Sequence, residues 1–301
     1  MRGPEKGLLR VVAVAAALAA GLGLASLGCG ARGTRPLRIG SKNFTEQVLL
    51  GELAAGVLER AGVRVDRRLD LGGTFVCHRA LEAGELDLYP EYTGTAYTAI
   101  LAHPPISDPA AVRAAVEREY PGRFHAVWAP PLGFENTFAL VMRGPQATEL
   151  GILSISDLAQ KGRGLRPGFG YEFLERADGF PGLSKAYGLQ FQQRPAEMDL
   201  GLLYAALDQR KVDVVAGNST DGLIAAMKLV VLRDDRRYFP PYEAAFVVRE
   251  AVWRDPRTRA ALERLSGAIS PDAMRAMNAA VDRDRQTPAN VAKEFLSRLG
   301  K

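Results

Sequence analysis

Along the chain, apolar positions switch repeatedly between the period of a strand and that of a helix. "LRIGS" (37–41) is a short strand-like run. "TEQVLLGELAAGVLERAG" (45–62) then spaces Val, Leu and Ala at helical intervals, with Thr45 placed as N-cap and Gly62 as stop. The alternation continues through a strand in "VRVDRRLDL", a helix in "TFVCHRALEAG", a strand in "LDLYPEY" and the opening of a third helix in "GTAYTAILA". "DPAAVRAAVEREY" is helical, and "HAVWAPPLGF" and "TFALVMR" read as strands. Strands alternating with helices predict an α/β protein built on mainly parallel sheet.

A second unit begins near residue 145. "SISDLAQ" starts a helix capped by Ser154 or Ser156, and "LRPGFGYEFLERADGFPGLSKAYG" is rich in turns around a helix. "MDLGLLYAALDQRK" and "STDGLIAAMKL" read as helices, and "VDVVAG" and "LVVLRDD" as strands. The tail from "PRTRAALERLSGAI" to "TPANVAKEFLSRLG" is helical, with Thr287 as N-cap and Pro288 at the first helical position.

The N-terminus follows a different pattern. Arg2, Lys6 and Arg10 precede the unbroken Ala/Leu-rich run "VVAVAAALAAGLGLASLG" and then Cys29, the arrangement of a secretory signal. At about 18 mildly apolar residues the run is at the lower limit for a membrane span. "SLGC" resembles a bacterial lipobox, in which Cys29 would become the lipidated first residue, although Ser26 stands where Leu is usual. The expectation is an exported, periplasmic or cell-surface protein, anchored in a membrane by lipid at Cys29. Residues 1–28 would be the signal peptide and 29–36 a tether.

The 301 residues are 47% hydrophobic and 24% charged, an ordinary globular balance, with a formal net charge of +5. Loss of the signal removes three cations and Glu5, which leaves +3. The charges are interspersed, so no nucleic-acid partner is expected. With Cys29 lipidated, Cys77 has no partner for a disulfide and reads as a small core residue beside a surface His78. His78, His103 and His125 lack metal-ligand spacing, and no HExxH, GxSxG or P-loop occurs. "GRGLRPG" does not lie between strand and helix as a phosphate loop must. No catalytic residue, cofactor or metal is expected.

What remains is a set of rings and cations at element ends. "GSKNFTEQ" puts Lys42 between a strand end and a helix N-terminus, which favours an anionic group. "YTGTA" repeats the arrangement with Thr95, after Tyr92. "LERADGFPG" supplies Arg176, "FENTF" supplies Phe138, and "YFPPYEAA" supplies Tyr242 behind two prolines. Aromatic faces attract cations, and Lys and Arg suit a carboxylate; a betaine carries both groups. Taken singly, each residue has an ordinary structural explanation.

Taken in order, "IGSKNFTEQ", "LGGTFVCHRAL", "DLYPEYTGTAY", "PLGFENTFAL", "DGFPGL", "STDG" and "FPPYEAA" resemble the substrate-binding proteins of osmoprotectant ABC importers, the glycine betaine/carnitine/choline family. The resemblance runs from about residue 37 to the C-terminus. It implies a two-lobed periplasmic-binding fold of type II, with one lobe at 37–140 plus 244–301, the other at 141–243, and the ligand in the cleft between them. It implies Tyr92, Phe138 and Tyr242 as cage rings and Lys42, Thr95 and Arg176 as carboxylate-holding groups. Asn218 stands where the family often has a fourth cage tyrosine. That loss of a ring face and gain of space leaves two ligand classes open: simple glycine betaine-type solutes, or bulkier betaines such as carnitine or ergothioneine. Permease and ATPase would be separate chains, and the binding protein a monomer. An exported enzyme on the same scaffold is the alternative from another class, and it lacks a nucleophile–base pair.

Overall fold

A computed structural model describes residues 35–299. The expected signal, the lipidated Cys29 and the tether up to residue 34 lie outside the described residues. Two five-stranded sheets of identical plan carry the chain. In the first, β1 (Leu37–Gly40) lies between β2 (Val65–Arg68) and β3 (Leu88–Tyr92), parallel to both. The order is β2-β1-β3-β10-β4, where β4 is Ala126–Trp128 and β10 is Ala244–Arg249. In the second, β6 (Pro167–Phe169) lies parallel to β7 (Ala196–Glu197) and β8 (Val214–Asn218), and the order is β7-β6-β8-β5-β9. Here β5 is Phe138–Arg143 and β9 is Leu229–Val231.

The expectation of mainly parallel sheet is corrected at one strand in each. β10 runs antiparallel to β3 and β4, and β5 runs antiparallel to β8 and β9. These are the two strands that arrive from the other sheet, so they enter from the opposite end. β5 belongs whole to the second sheet, so the passage between lobes precedes Phe138 rather than following residue 140.

Helices cover both faces of each sheet, which is why the central strands β3 and β10 are buried along almost their whole length. On one side of the first sheet, α1 (Thr45–Arg60) packs with the C-terminal helices, and Leu49, Leu53, Leu265 and Leu296 are buried together. On the other side are α2 (Thr74–Glu82) and α3 (Pro109–Phe124), with Cys77, Tyr89, Tyr120 and Trp128 in the core. The second sheet is covered by α4 (Gly144–Leu150), α5 (Ile155–Lys161), α6 (Tyr171–Glu175), α7 (Phe180–Tyr187) and α8 (Leu200–Asp208).

Local sequence explains most helix ends. Ser154 caps α5 in a capping box with Asp157. Asp108 caps α3, which opens on Pro109. Thr45 is not a cap. Phe44 holds the cap position in extended conformation, and the Thr45 hydroxyl instead donates to Asp282 at 2.5 Å. "GTAYTAILA" does not open an ordinary helix either: one turn, Thr93–Thr95, passes into a π-helical segment, Ala96–Ile100. Of "STDGLIAAMKL" only α9 (Leu223–Ala226) is helical, and Lys228 takes a left-handed conformation that ends it. The remaining helices are α10 (Glu250–Trp253), α11 (Pro256–Glu263), α12 (Pro271–Asp282) and α13 (Pro288–Leu299). No described helix is long and apolar enough to cross a membrane.

Candidate functional site

In open α/β sheets, ligands sit beyond the carboxyl ends of parallel strands, where the strand order reverses. Here β1 ends toward Lys42, β3 ends on Tyr92, β8 ends on Asn218, and β6 leads into α6 and Arg176. The two antiparallel strands start at the same place: β5 on Phe138, and β10 just after Tyr242. All seven residues singled out from sequence (Lys42, Tyr92, Thr95, Phe138, Arg176, Asn218 and Tyr242) line one cavity of about 40 Å³. Phe44, Asn136, Glu172 and Phe173 complete much of its wall.

The rings line the cavity in two groups. Phe44 stacks on Tyr92 with centroids 6.5 Å apart. Phe138 meets the edge of Phe173 at 5.0 Å and of Tyr242 at 6.0 Å. Asn218 pairs with Phe138 across the β5–β8 ladder and supplies no ring. Phe44 and Phe173 supply apolar faces that the sequence reading did not assign.

The cations are not free. Lys42 is 2% exposed and its Nζ lies 2.5 Å from Glu91 Oε1, and also 5.1 Å above the Tyr92 ring. Arg176 is 5% exposed, not a surface loop residue. Its Nε and Nη2 donate to the two oxygens of Asp178 at 2.9 and 2.5 Å, and Nη2 also donates to Thr95 Oγ1 at 3.2 Å. Its guanidinium lies 4.8 Å over the Phe138 ring. The Tyr242 hydroxyl donates to Asp178 at 2.6 Å, so Tyr242 and Arg176 share one carboxylate. Burial works against the charge of Asp178, but the Arg176 guanidinium outweighs it and holds the carboxyl below its usual range. Burial dominates at Glu91 and raises its carboxyl, against the pull of Lys42.

Behind Tyr92 stands Glu46, buried in the first turn of α1. It accepts from Tyr92 Oη at 2.6 Å, Asn136 Nδ2 at 2.8 Å, Thr220 Oγ1 at 2.5 Å and Asn278 Nδ2 at 3.0 Å. At the cavity mouth, Glu172 accepts from the backbone N–H and the hydroxyl of Thr74 across the cleft. Sequence reasoning missed Glu46, Glu91, Glu172 and Asp178. Glu91 and Asp178 lie within two residues of Tyr92 and Arg176, inside stretches already quoted, but their burial against Lys42 and Arg176 shows only in the fold.

Beyond Asn218 the cavity adjoins a wider groove of about 870 Å³, which shares Phe44, Leu200, Gly217 and Asn218 with it. The Cys77 thiol is fully buried and pushed up to about 12 by desolvation. His78 is buried against Tyr120 and Phe124 rather than at the surface, because the face of α2 beside Cys77 is also covered, by α3. Among the described residues, no group of His, Cys, Asp or Glu could hold a metal.

Residues 35–298 match the family described as the substrate binding domain of ABC-type glycine betaine transport systems. The chain belongs to this family. Among the relatives of this binding-domain chain, the glycine-betaine-binding protein of Pseudomonas aeruginosa is 37% identical over 273 residues, covering 86% of each chain. The ergothioneine transport permease/ergothioneine binding protein EgtU of Helicobacter pylori is 35% identical over 268 residues, 88% of this chain. The chain spans about half the length of that relative, 48%. A crystal structure described as a glycine betaine/carnitine/choline ABC transporter superposes with a TM-score of 0.72 at 32% identity, covering 87% of this chain and 98% of that one. The two-lobed fold of such binding proteins is the fold found here.

Proposed function

We propose that this protein captures a quaternary-ammonium compatible solute outside the cytoplasm and hands it to a membrane permease, with a glycine betaine-type ligand as the first choice. The observation that carries the reading is the convergence of Tyr92, Phe138, Tyr242, Lys42, Thr95 and Arg176 on one small cavity. Aromatic faces in a desolvated site attract a trimethylammonium group by about 2 kcal/mol each. The ligand carboxylate would meet the Thr95 hydroxyl and the N–H groups of Lys42 and Arg176 not already given to Glu91 and Asp178. After association costs, micromolar affinity, about −8 kcal/mol, is the expected scale.

The groove beyond Asn218 favours a second reading, a bulkier betaine such as carnitine or ergothioneine whose polar part passes the Asn218 amide. In either case the protein works as a monomer, tethered by lipid at Cys29, with permease and ATPase on separate chains. It binds and releases without turnover. Calorimetry with glycine betaine, proline betaine, carnitine, choline and ergothioneine tests the reading. Micromolar binding of at least one compound, unchanged on recovery, is expected. The reading fails if none binds below millimolar while an uncharged sugar or amino acid does.

A further inference from the structure

The loop "STDG" after β8 belongs to the second sheet's lobe, yet it is fastened to the first. Thr220, 1% exposed, donates to Glu46 Oε2 at 2.5 Å, and its own carbonyl accepts from Asn278 Nδ2 of α12 at 2.9 Å. Gly222 lies so close to α12 that a Cβ there would sit 2.3 Å from the backbone nitrogen of Ala279 and 2.5 Å from its Cα. Backbone of one lobe therefore touches backbone of the other, with no room for a methyl group. On the opposite side of Glu46, the second oxygen accepts from Tyr92 and from Asn136 on the segment that passes between lobes. A carboxylate has about four lone-pair sites, and four donors from four parts of the chain fill them.

We propose that Glu46 is the positioning residue that couples lobe closure to the orientation of the Tyr92 ring, and that Thr220 and Gly222 form its latch on the second lobe. The inference rests on the ligand reading above only for its binding arm. When the lobes are together, Thr220 and Asn278 hold Oε2 and fix the carboxylate, which leaves Oε1 aimed at the Tyr92 hydroxyl. When they part, Oε2 keeps only Asn278, whose amide has itself lost the Thr220 carbonyl that oriented it. Tyr92 is then held by a less constrained partner, and its face is set less firmly toward the cavity. Closure and a ligand-ready ring thus stabilise each other, as linkage between two equilibria requires.

Three variants of the purified protein test this: Thr220→Val, which keeps the shape and removes the donor; Thr220→Ser, which restores it; and Gly222→Ala, which presses on α12. Small-angle scattering without ligand reads the latch directly. Thr220→Val and Gly222→Ala are expected to give more extended particles than wild type, and Thr220→Ser the wild-type profile. A charge-assisted hydrogen bond is worth about tenfold in binding, so Thr220→Val is expected to bind the best ligand of the panel about tenfold more weakly, and Thr220→Ser to recover. Combined with Tyr92→Phe, the loss is expected to fall short of the product of the two single losses, because both act through Glu46. Scattering profiles that match wild type, or losses that simply multiply, would overturn the proposal. Absence of any quaternary-ammonium binding would defeat the functional reading while the scattering comparison still decided this one.

Discussion

Asp178 gives the sharpest test of how the cavity manages charge. It is fully buried, takes two hydrogen bonds from Arg176 and one from Tyr242, and neutralises a guanidinium that lines the cavity. Asp178→Asn keeps the shape and removes the charge. Breaking a buried pair by removing one partner costs about 3–5 kcal/mol, mostly from the cation left behind. For a chain of this size about 3 kcal/mol lowers Tm by roughly 6–12 °C. A carboxylated ligand can replace the lost charge, so part of that stability should return on binding. Glycine betaine is therefore expected to raise the variant's Tm by more than it raises the wild type's, whereas choline, which has no carboxylate, gives the variant no such advantage. Thermal unfolding with and without saturating ligand, on both proteins, measures the four quantities needed. Equal ligand-induced shifts in variant and wild type, or an unchanged unliganded Tm, would refute the claim that Asp178 neutralises the Arg176 that faces the ligand.

Other outcomes follow from the same geometry. A Cβ on Gly94 would lie 2.6 Å from the Pro241 carbonyl oxygen and 2.8 Å from Tyr242 Cδ1, so Gly94→Ala should displace that ring and weaken ligand binding about tenfold; unchanged calorimetric affinity would remove Tyr242 from the cage. Arg176→Ala should weaken carboxylated ligands much more than choline, and equal losses would take Arg176 out of the clamp. Burial lowers the His78 ring to about 4 from an unfolded value of 6.5, so the folded state prefers it neutral. Stability from this group is present above pH 6.5 and is lost as pH falls toward 4. His78→Phe, packed on Phe124 at the same site, should lose less stability between pH 7 and pH 5 than wild type; parallel Tm curves would count against it.

The elements and the cavity-lining residues were legible in the sequence for a common reason: both are written in local patterns. Strand–helix alternation located the strands, and the cavity residues lie at element ends, where rings and cations are conspicuous. Sheet polarity was not legible, because the direction of β5 and β10 is set by which lobe the chain arrives from, far away in sequence. The acids were missed for a related reason. Glu91 and Asp178 look like solvated charges in "YPEY" and "ADGF", and only the fold shows that they are buried against Lys42 and Arg176. Glu46 reads as a helix-start carboxylate, and its role depends on Thr220 and Asn278, 174 and 232 residues away. That Asn218 supplies no ring was visible, but the presence of Phe44 and Phe173 in the cavity wall was not, since those rings reach it from α1's N-terminal flank and from α6.

The central claim is that the cavity's aromatic rings read a positive charge. Calorimetric comparison of glycine betaine with 3,3-dimethylbutanoate, in which carbon replaces the quaternary nitrogen at nearly the same shape, tests it most directly. Even one ring face at about 2 kcal/mol corresponds to about thirtyfold, so the carbon compound is expected to bind at least that much more weakly. Comparable affinity for the two would mean that the cavity recognises size and carboxylate alone, and would contradict the account.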